Sequence, residues 1–252
     1  PTKPAEANIF NLCFQEDGFL FNEFEQLFHD LFSKKSAKYR LILKALADGP
    51  KTLSEIYKAL NLNKTGYIVS EYMNDLEAGG FVQRDYTWNL ETAKKSKLSV
   101  YRLSDNYARF YLKYIEPNRD RIKSHTLVKI PSCESILGLQ FENLVLNNRK
   151  KLFEILEIDP ASVVMDNPYF QRRTKSQLGC QIDYMIHIQH GILYLCEIKF
   201  SKRSIPSSVI DEVKQKIDRL AVPKSLSVRP VLLHVNGLSE AVKRSNYFAH
   251  IV

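Results

Sequence analysis

The residues whose types and spacing could do chemistry lie in one stretch, residues 178–200, LGCQIDYMIHIQHGILYLCEIKF. It reads as two β-strands joined by a short turn at Gln189, His190 and Gly191. Strand alternation puts Asp183 on one face with Gln181 and Met185, and Ile182, Tyr184, Ile186 and Ile188 on the other. The second strand is apolar on both faces, as in a buried α/β strand, until Glu197 and Lys199 appear two residues apart on one face. An acid and an amine at the end of a buried strand are costly to keep there unless they are partnered. Two explanations fit. One is a salt bridge, or a strand end emerging into water. The other is a divalent metal site, with Asp183 and Glu197 as oxygen ligands and Lys199 beside the attacking nucleophile.

The chain that must position these residues has 252 residues, enough for one large or two small domains with their own cores. Its net charge of +8 leans toward polyanionic partners without identifying one. Cys13, Cys133, Cys180 and Cys196 form no CxxC pair. That suggests neither a zinc site nor a disulfide framework, and points to a reducing, cytoplasmic compartment. No apolar run reaches transmembrane length and no signal peptide is evident, so no membrane partner is expected. The sequence opens on Pro1, not Met, and is expected to be a piece of a longer protein.

Four segments are expected. Residues 1–36 are helical in pattern, with Phe19, Leu20, Phe24, Leu27, Phe28, Leu31 and Phe32 at helical spacing. They pack either on the next helices of this chain or as the tail of a preceding domain. Residues 37–117 read as three helices and a β-hairpin. Gly49-Pro50 stops the first helix, the Thr52 to Glu55 capping box opens the second, and Gly79-Gly80 stops the third. A strand at 81–84 pairs with one at 100–103, and Lys94, Lys95 and Lys97 lie in the loop between them. That order is a winged helix-turn-helix, with Lys64, Thr65 and Tyr67 on the reading helix and the three lysines at the wing tip as nucleic-acid contacts. Glu71, Asp75 and Glu77 on the same helix oppose phosphate, which leaves a protein-docking role open. An aromatic helix, Tyr107 to Ile115, closes this segment before Pro117.

Residues 118–134 read as an exposed connector. Residues 135–252 run helix (Ser135 to Leu152, carrying Glu142), a short strand near Val163 to Met165, the hairpin, helix (Ser207 to Leu220), strand (Val228 to Val235), and a last helix or a helix with a trailing strand. That is an α/β order. Arg172 and Arg173 before the hairpin, and Lys202 and Arg203 after it, are basic turns that could meet a phosphate.

Asp183, fourteen positions before Glu197 in a Glu-x-Lys at the end of an apolar strand, resembles the PD-(D/E)xK nuclease superfamily, the restriction-endonuclease-like fold. Ile182 stands where the motif has proline. The larger arrangement, with GGFVQRD, YRLSDNYARFYLKYIEPN, the Phe141-Glu142-Asn143 triplet, QIDYMI and CEIKF, resembles the C-terminal part of archaeal-type P-loop ATPases over essentially all of the chain. The resemblance implies a mixed central sheet flanked by helices. It implies a Mg²⁺- or Mn²⁺-dependent DNA nuclease domain, with Asp183, Glu197 and Glu142 at the metal and Lys199 orienting or helping to deprotonate the attacking water. It also implies a Cys196 or Ile198 backbone oxygen near the metal, DNA and an N-terminal ATPase domain of the same protein as partners, and residues 1–36 as the end of that domain. Lys214 and Gln215 on the following helix are further candidates for a phosphate contact. No GxxxxGK[ST] occurs, so no ATP site is expected in this chain. The rival readings are an inactive nuclease fold that binds nucleic acid, a protein-interaction module that regulates the ATPase, and a structural salt bridge in an unrelated α/β domain. The sequence fixes no oligomeric state.

Overall fold

The computed structural model describes residues 4–32, 36–62, 68–175 and 177–252. Two compact units emerge, residues 1–84 with 100–137, and residues 85–99 with 138–252.

The first unit opens with α1 (Ala5–Cys13) and α2 (Phe19–Phe32), followed by α3 (Ser36–Leu46), α4 (Leu53–Ala59) and α5 (Ile68–Ala78). The hairpin β1 (Val82–Trp88) and β2 (Lys95–Leu103) comes next, then α6 (Asn106–Phe110), continued by a π turn to Ile115, and α7 (Arg119–Lys123). The Thr52 hydroxyl accepts from the Glu55 N–H while the Glu55 carboxylate accepts from the Thr52 N–H at 2.7 Å, so the expected capping box starts α4. Gly80 adopts φ +77 and lets the Phe81 N–H close on the Leu76 carbonyl at 3.0 Å, ending α5. The phenylalanines of α2 turn onto this chain's own elements. Phe24 stacks on Tyr111 with ring centres 4.4 Å apart, and Phe28 meets Phe81 edge-on at 5.5 Å. The connector expected to be exposed at 118–134 is partly built in, because the Arg119 guanidinium donates to Asn22 Oδ1 at 2.8 Å and lies over the Phe21 ring.

The second unit carries α8 (Glu134–Asn147) from Gly138 on, α9 (Arg149–Ile155), β3 (Val163–Gln171), β4 (Cys180–Ile188), β5 (Ile192–Lys199), α10 (Ser208–Arg219), β6 (Ser227–His234), α11 (Glu240–Arg244) and β7 (His250–Ile251). The strands form one mixed five-stranded sheet in sequence order. β3, β4 and β5 are antiparallel neighbours, and β6 and β7 join parallel to β5. The single helix expected over 135–152 breaks at Asn148, whose side-chain amide donates to the Leu144 carbonyl at 2.7 Å and so satisfies an end-of-helix acceptor. The strand expected near 163–165 extends to Gln171. The chain's end resolves into a helix with a trailing strand.

Each face of the sheet holds a core. On one, Leu146, Leu152 and Leu156 from α8, α9 and the residue after it meet Tyr184, Ile186 and Cys196. On the other, Val209 and Val213 of α10 meet Ile182, Met185, Leu193 and Leu195. Simple alternation places Ile182 with Tyr184, but the structure puts it with Met185. Between Asn167 and Tyr169 the partner on β4 jumps from Met185 to Ile182, so β4 contains one extra residue there. This β-bulge, at Asp183 and Tyr184, shifts the alternation and overturns the expected face for Ile182.

The hairpin strands are longer than expected, and Lys95 and Lys97 lie on β2, not in a loop. The hairpin's far end belongs to the second unit. Trp88 is 2% exposed, packs edge-on against Tyr169 at 5.1 Å, and joins the core beside α10 with Leu90. Periodicity could not show this, because the partner of that strand end lies far along the chain.

Candidate active site

Asp183 and Glu197 come from neighbouring antiparallel strands just beyond the Tyr184–Cys196 pair. The bulge frees Asp183 from the ladder, and its Oδ2 accepts the Ile198 N–H at 2.8 Å. Glu197 is 1% exposed and points to the α10 face. Lys199, two residues on, places Nζ 3.0 Å from Glu197 Oε1 and 2.8 Å from Glu212 Oε2 on α10. Thus Asp183, Glu197 and Lys199 do converge.

A fourth charged group completes the cluster, and sequence reasoning missed it. Lys216 Nζ lies 2.5 Å from Glu197 Oε2 and 3.5 Å from Asp183 Oδ1, so one ammonium bridges both acids. Its signal was in the chain. Val209, Val213, Lys216 and Leu220 follow the i, i+4, i+7, i+11 spacing of one helix face, so Lys216 is a charge in an apolar stripe. Of the neighbouring residues expected at the phosphate, Lys214 is exposed and instead reaches Asp211 at 3.8 Å, and Gln215 is exposed.

The electrostatics follow from this crowding. Burial, and then the Glu197 carboxylate beside it, push the Asp183 carboxyl up from the ordinary carboxylate value. Burial disfavours the Lys199 ammonium, but Glu212 and Glu197 outweigh it and the net direction is up. Lys216 follows the same logic with Asp183 and Glu197 as its acids. Glu212 is held below its usual range by its hydrogen bond from Lys199. Lys199 therefore stays a cation in this arrangement. A cation there suits charge stabilisation or the orientation of water.

The two carboxylates share one positive charge here, and carboxylate oxygens are the ligand type that Mg²⁺ and Mn²⁺ take. Among the described residues no group of three acid, histidine or cysteine side chains converges to hold a metal, so Glu142 does not join the pair as a third member of one cluster. It sits half-buried on α8, which packs on the opposite face of the sheet from α10. Its neighbour Phe141 meets Phe200 at 6.3 Å, so α8 passes beside the end of β5.

The other expected contact residues lie on the surface. Arg172 and Arg173 are exposed in the β3–β4 connection, and Lys202 and Arg203 in the turn after β5. A cleft of about 490 Å³ is lined in part by Gln181, Arg219 and Lys216, the lysine that pairs with the two acids. Lys94, Lys95 and Lys97 are exposed, with Lys95 3.5 Å from the centre of the Tyr86 ring. Lys64, Thr65 and Tyr67 lie outside the described residues.

No family model matches the chain. An uncharacterized protein of Methanocaldococcus jannaschii is 32% identical over 152 residues, which make up 56% of this chain and 34% of that protein. The chain thus spans about a third of its relative's length. Among solved structures, a repair endonuclease from Pyrococcus abyssi is similar over 49% of this chain and 46% of that one, at 17% identity and a TM-score of 0.29. Protein VC1899 from Vibrio cholerae is similar over 94% of this chain and 53% of that one, at 13% identity and a TM-score of 0.36. Likenesses of that size carry no argument about function, which rests on the geometry of the site. Among the described residues no helix is long and apolar enough to cross a membrane.

Proposed function

We propose that the second unit is a divalent-metal-dependent DNA nuclease of the restriction-endonuclease-like type, joined to a winged-helix module in a larger ATPase. The observation that carries this reading is the acid pair, Asp183 and Glu197, held together at the end of β5 by one shared cation with Lys199 beside it. A metal at the pair supplies charge for the phosphate and makes water a better nucleophile. Asp183 and Glu197 would hold it. Asp183 is fixed in place by the Ile198 N–H. Lys199, anchored on Glu212, keeps a positive charge beside the reacting phosphate. Arg172, Arg173, Lys202 and Arg203 guide the strand together with Lys94, Lys95 and Lys97 at the hairpin end of the same unit, and Lys64, Thr65 and Tyr67 supply contacts from the first module.

The decisive experiment is cleavage of plasmid and single-stranded DNA with Mg²⁺ or Mn²⁺ by the wild type, Asp183→Asn and Lys199→Ala. Activity in the wild type alone supports the proposal, and equal cleavage by all three marks a contaminant. One observation favours a second reading, an inactive nuclease fold that binds nucleic acid or regulates the ATPase: Lys216 already neutralises the acids from within. DNA binding without cleavage, or a protein partner without DNA affinity, would select it.

A further inference from the structure

The asymmetry between the two lysines of the site bears on how a metal reaches it. Lys199 touches Glu197 and also Glu212, an acid outside the pair. Lys216 is different. Among the described residues its ion pairs are with Asp183 and Glu197 alone, the two carboxylates a metal would take. A divalent cation there would leave Lys199 one carboxylate and Lys216 none, facing a doubly charged ion. A buried ammonium without a partner is costly and moves toward water where a path exists. The path is present, since the Lys216 side chain is 25% exposed and lines the cleft with Gln181 and Arg219.

We propose that Lys216 is a resident counter-ion that holds the acid pair together before metal binds, yields both carboxylates to the divalent cation, and turns into the adjoining cleft to meet a nucleic-acid phosphate beside Arg219. This deepens the nuclease reading and rests on it. The site then has two states, a closed one neutralised by its own lysine and a metal-loaded one in which that charge is redeployed on the substrate side. The backbone of α10 has no need to move, because Val209 and Val213 stay packed on the sheet and only the Lys216 side chain swings.

Lysine acetylation read by mass spectrometry tests this on the wild-type chain, with and without saturating Mn²⁺, while electron paramagnetic resonance measures bound Mn²⁺. Lys216 labelling is expected to rise several-fold on loading while Lys199 stays protected. Unchanged Lys216 labelling in a chain with bound Mn²⁺ overturns the exchange and leaves the nuclease reading standing. Failure of the wild type to bind Mn²⁺ removes both. As a second arm, Lys216→Met removes the competitor and should tighten Mn²⁺ binding by about tenfold, the size that groups around a metal's ligands have on affinity. Lys216→Arg should stay near the wild type. Equal or weaker Mn²⁺ binding in a Lys216→Met protein that still melts cooperatively overturns the proposal.

Discussion

Asp183 reaches across the β4–β5 hairpin and accepts the N–H of Ile198, the residue between Glu197 and Lys199, at 2.8 Å. One side chain of the first strand is thereby tied to the backbone that separates the other two functional groups. The distance between the acids is set by the sheet itself and not by a loop, which is how a precise site is best supported.

Glu197 is the structural centre of the cluster as well as its chemical centre. It is 1% exposed and holds both lysines, whereas Glu212 is 48% exposed and holds one. Glu197→Gln should therefore destabilise the second unit by on the order of 3 kcal/mol, as expected when one member of a buried ion pair is removed. Glu212→Gln should cost less than about 1 kcal/mol. Urea unfolding of the two variants checks the ranking, and equal costs would show that Glu197 is not buried as described.

The Asp183 carboxyl, pushed up by burial and by Glu197, makes a pH prediction with a definite sign. A raised folded value means that its contribution to stability is present below the ordinary carboxylate value of about 4 and is lost as pH rises through the folded value. Asp183→Asn carries no such loss. In chelator, the melting temperature of Asp183→Asn minus that of the wild type should increase as pH rises above the ordinary carboxylate value of about 4. A difference that is flat or falls with pH contradicts the crowding of the two acids.

Trp88 is the only tryptophan in the chain and sits in the core beside α10. Its fluorescence should resist iodide quenching in the native protein and become quenchable when the second unit unfolds. Trp88→Ala should destabilise that unit by about 3–5 kcal/mol. Native emission as quenchable as that of the unfolded chain would place the hairpin end in water.

In the first unit, Thr52→Ala removes one half of the capping box and should cost about 1 kcal/mol, with Thr52→Ser close to the wild type. Thermal melts of the two variants separate the cap from general surface effects.

The three motif residues were legible because types, spacing and strand position agreed. The capping box and the glycine stop of α5 were legible for the same reason, since each is a local signal with a local cause. Three features were not. The bulge in β4 depends on register with β3, which no single strand declares. Trp88 falls between the expected strands at 81–84 and 100–103, and no local signal marks it because its packing partner, Tyr169, is distant in the chain. Lys216 was readable in principle as a charge on the apolar face of α10, but its importance depends on which strand end that face covers. Glu142 shows the reverse case. The sequence places it on the expected helix, yet that helix packs on the opposite face of the sheet from α10, with Phe141 beside Phe200 at the end of β5.

The ladder that sets the acids opposite each other runs unbroken from Tyr184–Cys196 to Ile188–Ile192, so the turn is where this hairpin can grow. Lengthening it by one residue on each arm preserves parity and keeps both carboxylates toward the same helix. An odd change at the tip rotates one arm by half a repeat and aims its acid at the opposite layer, unless a second irregularity restores the phase. Homologous chains should accordingly tolerate even insertions here and either avoid odd ones or carry them with a compensating shift near the aspartate.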